Sequence, residues 1–519
     1  MPDTVNETQS RSTPPHSECL ICGRDYPFRM PPAILDAASN GNLVVFAGAG
    51  ITTERPGFFP ASLYEEIKSV LSSPPEDLSF PSVMSSYEDE FGRLKLVAEI
   101  IERINYAISF PSLRSMVTRF YHELATISQI REVITTNWDD YFERFCAMQP
   151  IVNDRDYVFY NLPGRKVYKI HGSISNVSTI VATLDDYEEC EERLKTSVMG
   201  GTLRHLLGTK IVVFVGYSLQ DEDFKNVYDS LIEGMGALRP VTYVVSPFEI
   251  SDADRFKLRH IKTDGSTFLR SLKNHLINMG ENLPDKIYER IESLRTVVAD
   301  CHASTAAMDW RGHPELIYSL AYQDGLLDGF GKTMTQFDTG DFTHIPHIQH
   351  VAASYDRLLH IAVEKNRYWD AAYIDGYQNA LICLLMEDSE ISLIPLYEVF
   401  NVGDFPPEVE DGDDADEDNE HVQLGAEESE DTHEDSEVNE EPTSDSDEEA
   451  EEEPEDGRQL PSVLSQDELL NILAGMEESY PKLFEEARRI VAQIPEGHVL
   501  QHTVFLDGVI GEYRPPSIA

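Results

Sequence analysis

The sequence lacks any apolar run that approaches the roughly 20 residues a membrane-spanning helix requires. Its first residues, MPDTVNETQSRSTPPHSE, contain no hydrophobic stretch of the kind that forms the core of a secretory signal. Cysteine is also scarce, with 6 residues in a chain of 519, which excludes a scaffold held together by disulfides. These absences predict a protein of the reducing cytoplasm.

Basic residues are few as well, since 41 Lys and Arg oppose 93 Asp and Glu, for a net charge of −52. Residues 408–457 alone hold 27 acidic residues and no Lys or Arg. Outside that stretch 66 acidic residues stand against 41 basic ones, so direct binding to a nucleic-acid backbone is not expected. Such a stretch buries too little apolar surface to fold, and we predict a disordered acidic linker over 407–458.

The chain is rich in apolar and aromatic residues, at 41% hydrophobic with 23 Tyr and 23 Phe. This composition excludes a mostly disordered or fibrous protein, and the length predicts several domains. Changes of pattern divide the chain into five parts. They are an N-terminal arm over 1–30, an α/β domain over 31–282, a helical domain over 283–406, the linker over 407–458, and a small segment of helices and a hairpin over 459–519.

Within 31–282, short runs rich in Val and Ile alternate with helical patterns. The runs are continuously apolar, which is typical of strands covered on both faces. Strand and helix repeated in this way predict an α/β fold with a doubly wound parallel, Rossmann-like sheet. The predicted strands are NLVVFAG (42–48), REVITTN (131–137), KVYKIHG (166–172), KIVVFVG (210–216) and PVTYVVS (240–246), and the helices between them include 91–108 and 113–126.

Beyond residue 282 the pattern becomes that of amphipathic helices, which predicts a mainly helical domain. We expect some of its large apolar and aromatic residues to pack on the α/β domain, and aromatic residues at this density also suit the anchors of an interface between copies of the chain. These residues are Tyr318, Tyr322, Tyr355, Leu358, Leu359, Trp369, Tyr373 and Tyr377. Past the linker, residues 465–476 and 481–494 predict two further helices, and residues 498–513 predict a hairpin.

The segment VVFAGAGITTE (44–54) leads from a buried strand into Gly48-Ala49-Gly50 and then into a stretch compatible with a helix. Glycines at such a turn let the backbone approach a pyrophosphate, and free N–H groups of the turn bind anions. Tight strand-to-helix turns also use glycine for packing alone. Taken by itself, this loop leaves both interpretations open.

Three other predicted strands end in polar or glycine-containing loops. The loops are TTNWD (135–139), HG (171–172) and GYS (216–218). Because parallel strands present their carboxyl ends at one edge of the sheet, where ligands bind in such folds, we expect these loops to converge on one crevice.

In these motifs the chain resembles the sirtuin-like domain. The resemblance is strongest to its bacterial NAD-consuming branch, found in anti-phage defence effectors of the Thoeris-like, HerA-associated and short-Argonaute-associated types. It covers about residues 35–280 and implies a domain that binds and consumes NAD+. The motifs are A-G-A-G-I (47–51), T-T-N-W-D (135–139), K-I-H-G (169–172), LDDYEE (184–189), V-G-Y-S-L-x-D-x-D (215–223) and HIKTDGSTFLRSL (260–272).

The resemblance implies three catalytic residues. Asn137 would hold the ribose and the attacking water, Asp139 would support the nicotinamide side, and His171 would act at the ribose hydroxyls as a base or orienting group. Cleavage of the nicotinamide–ribose bond develops oxocarbenium character, which nearby oxygens and an oriented water stabilise. A lone His-Gly is more often a turn-capping histidine, but TTNWD and GAG beside it favour catalysis.

The resemblance also implies positions that bind the cofactor. The glycine loop would line the NAD phosphates, the loop over 216–218 would contact the adenosine half, and the turn over 264–265 would lie near the adenine. The implied positions are Ala47, Gly48, Ala49, Gly50, Thr136, Gly216, Tyr217, Ser218, Asp264 and Gly265. Trp138 and Tyr141 are interpreted as core residues beneath the TTNWD loop.

Two departures separate the chain from deacylase sirtuins. Those enzymes carry two Cys pairs of a zinc module after the catalytic His, whereas this chain has only Cys190 between His171 and Gly216. An I-P-D-F-R element is also missing after the glycine loop, where ERPGFFPASL (54–63) stands. Hydrolysis or cyclisation of NAD+ is therefore favoured. The alternatives are an NAD-dependent protein deacylase and a module that senses NAD or ADP-ribose without turnover.

Two clusters have the residue types of metal ligands. His16, Cys19 and Cys22 have the spacing of half a zinc knuckle; the other interpretation is a polar arm with two reduced thiols. In THIPHIQH, His344, His347 and His350 lie three residues apart. Pro346 is expected to interrupt a helix there, so solvated histidines are favoured over a metal site.

The leading prediction is an NAD+ glycohydrolase that is restrained until a partner or an infection signal arrives, because constant activity would empty the NAD pool of the cell. The resemblance implies defence by NAD depletion and assembly as a homo-oligomer. It also implies a HerA-type ATPase or an Argonaute-like protein as partner, and the sequence does not choose between them.

Overall fold

The computed structural model describes residues 28–54, 58–217, 240–250, 258–307, 316–335, 340, 342–386, 391–393, 466–478 and 481–492. The zinc half-site at His16, Cys19 and Cys22, the position Ser218, the acidic linker and the terminal hairpin lie outside these residues and stay predictions. No helix within the described ranges is long and apolar enough to cross a membrane.

The α/β domain is built on one parallel sheet. Its described strands number seven, in the order β3-β4-β2-β1-β5-β6-β7, and every neighbouring pair is parallel. The strands are β1 (Leu43–Ala47), β2 (Glu132–Thr135), β3 (Gln149–Ile151), β4 (Lys166–Lys169), β5 (Ile211–Val215), β6 (Tyr243–Val245) and β7 (Arg259–Ile261). The predicted doubly wound α/β fold is confirmed.

Strand β1 explains why the central strands are continuous apolar runs. All five of its residues are buried. Val45 and Ala47 belong to one hydrophobic core, and Val44 and Phe46 belong to another. Because side chains of a strand alternate between faces, a sheet covered by helices on both sides requires apolar residues at every position.

The helices of this domain pack on both faces of the sheet. One boundary differs from the sequence prediction of a helix over 91–108. Gly92 has φ +87° and follows the end of one helix, so the next helix begins at Arg93. The helices are α1 (Pro32–Ser39), α2 (Leu63–Val70), α3 (Phe80–Phe91), α4 (Arg93–Ser109), α5 (Pro111–Ala125), α6 (Tyr141–Cys146), α7 (Leu184–Thr196), α8 (Val198–Thr209) and α9 (Gly265–Asn278).

The described helices beyond residue 282 share one hydrophobic core. Leu473, Leu483, Ala487 and Val491 from the C-terminal helices are buried in the same cluster as residues 283–384. The predicted parts 283–406 and 459–519 therefore contribute to one packed unit. Its helices are α10 (Lys286–Ala306), α11 (Leu316–Thr335), α12 (Ile345–Glu364), α13 (Tyr368–Leu385), α14 (Gln466–Leu473) and α15 (Pro481–Val491).

Most of the aromatic and apolar residues weighed as interface anchors lie inside this core. Five of the eight are buried there: Tyr318, Tyr322, Leu358, Leu359 and Trp369. The other three are partly buried and contact one another, with the Tyr355 and Tyr377 rings 4.9 Å apart and the Tyr373 and Tyr377 rings 6.3 Å apart. Packing within the domain accounts for this set, so it gives no support to an interface.

The histidines of THIPHIQH lie at the start of α12. His344 precedes the helix, and Pro346 stands in its first turn, where a proline is well tolerated. The expectation that Pro346 interrupts a helix was wrong, because the helix begins one residue before it. Among the described residues no group of three His, Cys, Asp or Glu side chains is placed to hold a metal ion.

Candidate active site

Four neighbouring strands bring the predicted loops to one edge of the sheet. The strands β4, β2, β1 and β5 are adjacent, and Ala47 is in register with both Thr135 and Val215. Thr135 Oγ1 donates to the Ala47 carbonyl over 2.9 Å, and the Ile170 amide donates to the Thr135 carbonyl over 2.9 Å. The described residues of these loops therefore lie at one edge of the sheet, and their convergence on one ligand crevice stays a prediction.

The glycine loop packs directly on the loop that follows β5. A Cβ on Gly48 would lie 2.6 Å from the Gly216 carbonyl oxygen, and one on Gly50 would lie 2.7 Å from it. Gly216 itself has φ +61°, and its Cβ would lie 2.5 Å from the Ile51 amide nitrogen. Any side chain at these positions would push the two loops apart, so close packing requires all three glycines.

Two backbone amides of the glycine loop donate hydrogen bonds within the protein. Gly48 donates to the Val215 carbonyl and Gly50 to the Gly216 carbonyl, each over 2.9 Å. The sequence left packing and phosphate binding open as reasons for the glycines. In this conformation the packing reason is established, and the amides of Gly48 and Gly50 are not directed at an anion.

Asn137 lies in a buried position just past the end of β2. Its side chain and backbone are 4% exposed, and its amide donates to Thr135 Oγ1 over 3.0 Å. The side-chain Nδ2 lies 3.5 Å from Thr52 Oγ1. Among the residues described, none hydrogen-bonds the buried Oδ1. Buried polar atoms are normally satisfied, so this oxygen is suited to accept a hydrogen bond from a bound hydroxyl or water.

His171 follows β4, the neighbour of β2, and is also 4% exposed. Its carbonyl accepts a hydrogen bond from the Val181 amide over 3.0 Å, which fixes the backbone of the turn. The imidazole lies 5.1 Å from the ring of Tyr187, centroid to centroid. Tyr187 belongs to the LDDYEE motif on α7, so that motif supplies a residue that contacts His171.

Asp139 ends the TTNWD loop, and its side chain is buried rather than exposed at the surface of the loop. It is 3% exposed, and its Oδ1 accepts hydrogen bonds from the Tyr141 amide at 3.2 Å and the Tyr121 hydroxyl at 3.3 Å. Burial raises the pKa of Asp139 to about 6, against the opposing effect of the nearby Lys169 charge. Tyr141 is fully buried, as predicted for a core residue. The described contacts of Asp139 thus hold the TTNWD loop in place.

The remaining predicted positions flank this centre. Tyr217 is buried, with its ring 4.8 Å from that of Phe46, while Thr136 is partly exposed beside Asn137. Asp264 caps α9, since Oδ1 accepts from the Ser266 amide at 3.0 Å and from the Thr267 amide at 3.1 Å. A Cβ on Gly265 would lie 2.4 Å from Val215 Cγ1, so this glycine also serves packing.

Sequence reasoning missed Arg103, a buried arginine on α4. Its guanidinium pairs with Glu54 at 2.9 Å and Glu66 at 2.8 Å, and donates to the Ala61 carbonyl at 2.8 Å. Arg103 therefore links Glu54 and Ala61, which both follow the glycine loop in the sequence. The available signal was a charged residue on the apolar face of an amphipathic helix, in helical spacing with Leu96 and Ile100.

Comparison with known proteins finds a match over part of the α/β domain. Residues 131–268 match the family model described as SIR2-like domain. This part of the chain is therefore similar to SIR2-like domains. The matched residues include Asn137, Asp139, His171, Gly216 and Asp264, while the glycine loop over 47–50 precedes the match and reaches the same edge through the central strand β1.

Two known proteins are similar to parts of the chain. NAD(+) hydrolase ThsA of Enterococcus faecium is 24% identical over 205 residues, which cover 38% of this chain and 41% of ThsA. The match thus spans less than half of that relative. A solved structure concerned with the structural basis for the mechanism and regulation of Sir2 enzymes aligns to 48% of this chain and 99% of its own, at 14% identity and a TM-score of 0.28.

Proposed function

We propose that this protein is an NAD+ hydrolase that cleaves the bond between nicotinamide and ribose and releases nicotinamide and ADP-ribose. The observation that carries the proposal is the pair Asn137 and His171, both buried at the carboxyl ends of the neighbouring strands β2 and β4. The SIR2-like domain and the similarity to an NAD+ hydrolase support the same activity.

The residues present fit the chemistry of this reaction. Nicotinamide leaves as a neutral molecule that takes the electron pair of the broken bond, so no strong acid is required. The ribose then develops oxocarbenium character, and a water adds to its anomeric carbon. Asn137 Oδ1 would accept a hydrogen bond from a ribose hydroxyl or that water, and His171 would accept the proton the water loses. Asp139 would act by holding the TTNWD loop.

The proposal includes restraint of the activity and a role in anti-phage defence by NAD depletion. Unrestrained turnover would damage the cell that makes the protein, so control by assembly or by a partner is expected. A homo-oligomer, a HerA-type ATPase and an Argonaute-like protein remain the proposed forms of that control. We propose no direct contact with nucleic acid, because the chain is strongly acidic.

Product analysis tests the proposal. Purified full-length protein is incubated with NAD+, alone and with the products of neighbouring genes, and nicotinamide, ADP-ribose and cyclic ADP-ribose are separated by chromatography. We expect nicotinamide and ADP-ribose in equal amounts. A parallel incubation with an acetyl-lysine peptide distinguishes the deacylase, which would form an acetylated ADP-ribose. Binding of NAD+ in calorimetry with no product under any condition would contradict the hydrolase and favour a sensing module.

A further inference from the structure

The end of β4 contains a lysine whose charge is completely buried. The side chain of Lys169 is 0% exposed. Its Nζ donates to the carbonyl of Asp139 and pairs with Glu143 Oε1 at 3.1 Å. A buried ammonium is costly unless it is paired and hydrogen-bonded, so a lysine is kept at such a position only when its contacts compensate that cost.

These contacts join the two loops that carry the proposed catalytic residues. Lys169 stands two residues before His171 on β4, and Asp139 stands two residues after Asn137 on the loop past β2. One backbone hydrogen bond also joins the two loops, because the Ile174 amide donates to the Trp138 carbonyl over 2.8 Å. Lys169 adds a link from its side chain at the end of β4 to the backbone of the loop past β2.

We propose that Lys169 is a positioning residue that fixes the loop over 136–140 against the end of β4 and so sets Asn137 relative to His171. The inference rests on the proposed function, because it assigns a role in that reaction. It goes beyond a stabilising role, since the same contact sets the geometry of the two groups that would meet the ribose.

The lysine also sets the charge beneath the loop. The titratable groups that face Asp139 are Lys169 from β4, Glu143 and Tyr141 from α6, and Tyr121 from α5. Of these, Lys169 supplies the positive charge that lowers the pKa of Asp139, against burial and Glu143, which raise it. Removal of the ammonium therefore raises the pKa of Asp139 further. As the pH falls, Asp139 then becomes protonated at a higher pH than in the wild type.

The chain offers a matched control on the same strand. Lys166 begins β4, is also buried, and donates from Nζ to Gln149 Oε1 and to the Leu162 carbonyl, each at 2.6 Å. It lies at the opposite end of the strand from the candidate site. Lys166→Met thus removes a buried, hydrogen-bonded lysine from the same element without touching the loop over 136–140.

The test compares Lys169→Met with Lys166→Met in the full-length protein under the conditions in which the wild type cleaves NAD+. We expect Lys169→Met to lower kcat roughly 10- to 100-fold with KM changed by less than about threefold, and to move the acid limb of the pH profile upward. Lys166→Met should keep the kcat and the acid limb of the wild type. If Lys169→Met fails to fold, Lys169→Met combined with Glu143→Gln, which removes the unpaired carboxylate, replaces it.

A second readout does not depend on turnover. The chain has 3 Trp residues, and Trp138 lies between Asn137 and Asp139, so 5-fluorotryptophan gives few fluorine NMR signals. We expect the Trp138 signal to shift, and its pH midpoint to rise, in Lys169→Met alone. An unchanged signal and an unchanged acid limb would overturn the role of Lys169 even if NAD+ is cleaved. A wild type that never cleaves NAD+ would instead contradict the proposed function, and the fluorine signal would still decide whether Lys169 fixes the loop.

Discussion

Several residues that the sequence motifs assign to ligand binding also have structural roles at the edge of the sheet. The sequence identified Gly48, Gly50 and Gly216 as ligand-binding positions, and the structure gives each a packing reason that is independent of any ligand. Asp264 likewise caps a helix. A motif shows that a residue type is required, but the same residue type satisfies backbone sterics, helix capping and ligand contact alike.

Substitution of Gly216 tests the contact between the two loops. Because Gly216 combines a positive φ with a Cβ position 2.5 Å from the Ile51 nitrogen, we expect Gly216→Ala to lower the free energy of unfolding by about 2 kcal/mol or more. Gly201→Ala is the control, since that helical glycine on α8 has nothing within 4 Å of its Cβ position. The control should be neutral or slightly stabilising.

Urea unfolding of both glycine variants measures the difference. Equal stabilities of Gly216→Ala and the wild type would show that the loops separate freely and that the glycines serve another purpose.

At the scale of elements, five strands were predictable because each is a continuous apolar run, and all five are present within three residues of the predicted ends. β3 and β7 were missed. Each has three residues, QPI and RHI, at an outer edge of the sheet, where one side needs no partner and apolar character is dispensable. Short edge strands form through pairing with a neighbour, which a local pattern does not reveal.

The candidate site was predictable to a similar extent. The TTNWD and HG loops were recognisable because polar residues directly follow buried strands. Lys169 and Arg103 were not singled out, because a lysine in a strand and an arginine on a helix are ordinary at the surface. Their burial depends on elements distant in sequence: α6 packs over Lys169, and the segment after the glycine loop packs over Arg103.

Helix α15 carries a buried carboxyl group, from which we predict that the stability of the folded protein depends on pH. Glu486 Oε2 accepts hydrogen bonds from the Trp369 amide at 3.0 Å and the Tyr318 hydroxyl at 3.1 Å. Burial raises the pKa of Glu486 to about 8, with Asp370 acting in the same direction and Arg489 against it. The folded protein therefore keeps this proton at neutral pH, whereas the unfolded chain releases it near the ordinary pKa of glutamic acid.

The sign of the pH effect follows from this difference. The contribution of Glu486 to stability is fully present below about pH 4.3 and is lost as the pH rises toward about 8. We expect Glu486→Gln, which keeps the acceptor and cannot ionise, to gain on the order of 2–4 kcal/mol relative to the wild type between pH 5 and pH 8.

Chemical unfolding at both pH values, followed by tryptophan fluorescence, measures that change in the free energy of unfolding. Glu485→Gln on the exposed face of the same helix is the control and should behave as the wild type at both pH values. A difference between Glu486→Gln and wild type that stays constant from pH 5 to pH 8 would contradict the raised pKa.

At the scale of the whole molecule, the junction between the helical domain and the α/β domain contains Asn282, Leu283 and Thr343. Thr343 Oγ1 lies 3.0 Å from the Thr126 carbonyl, and the Gln129 side chain donates to Asn282 Oδ1. The Leu283 amide donates to the Thr343 carbonyl over 2.8 Å. This junction contacts the turn that leads from α5 into β2, the strand that ends at the candidate site.

Gly340 lies at a close contact of the junction. It has φ +77°, and a Cβ there would lie 2.3 Å from the Ala125 carbonyl oxygen. We expect Gly340→Ala to weaken the contact between the domains and to split a joint thermal transition into two, because each domain has its own core. Gly331→Ala on α11, with nothing within 4 Å, is the control. One transition at the wild-type temperature in differential scanning calorimetry would show that the junction does not couple the domains.

The central claim concerns the chemistry at the end of β2, and the rate of nicotinamide release by Asn137→Ala tests it most directly. The matched control is Asn153→Ala, since Asn153 follows the edge strand β3 and its Oδ1 accepts from the Arg155 amide at 2.9 Å. Under conditions in which the wild type releases nicotinamide from NAD+, we predict that Asn137→Ala releases it at least about 100-fold more slowly. Asn153→Ala should retain the wild-type rate. Release by folded Asn137→Ala within a few-fold of the wild type would contradict the account.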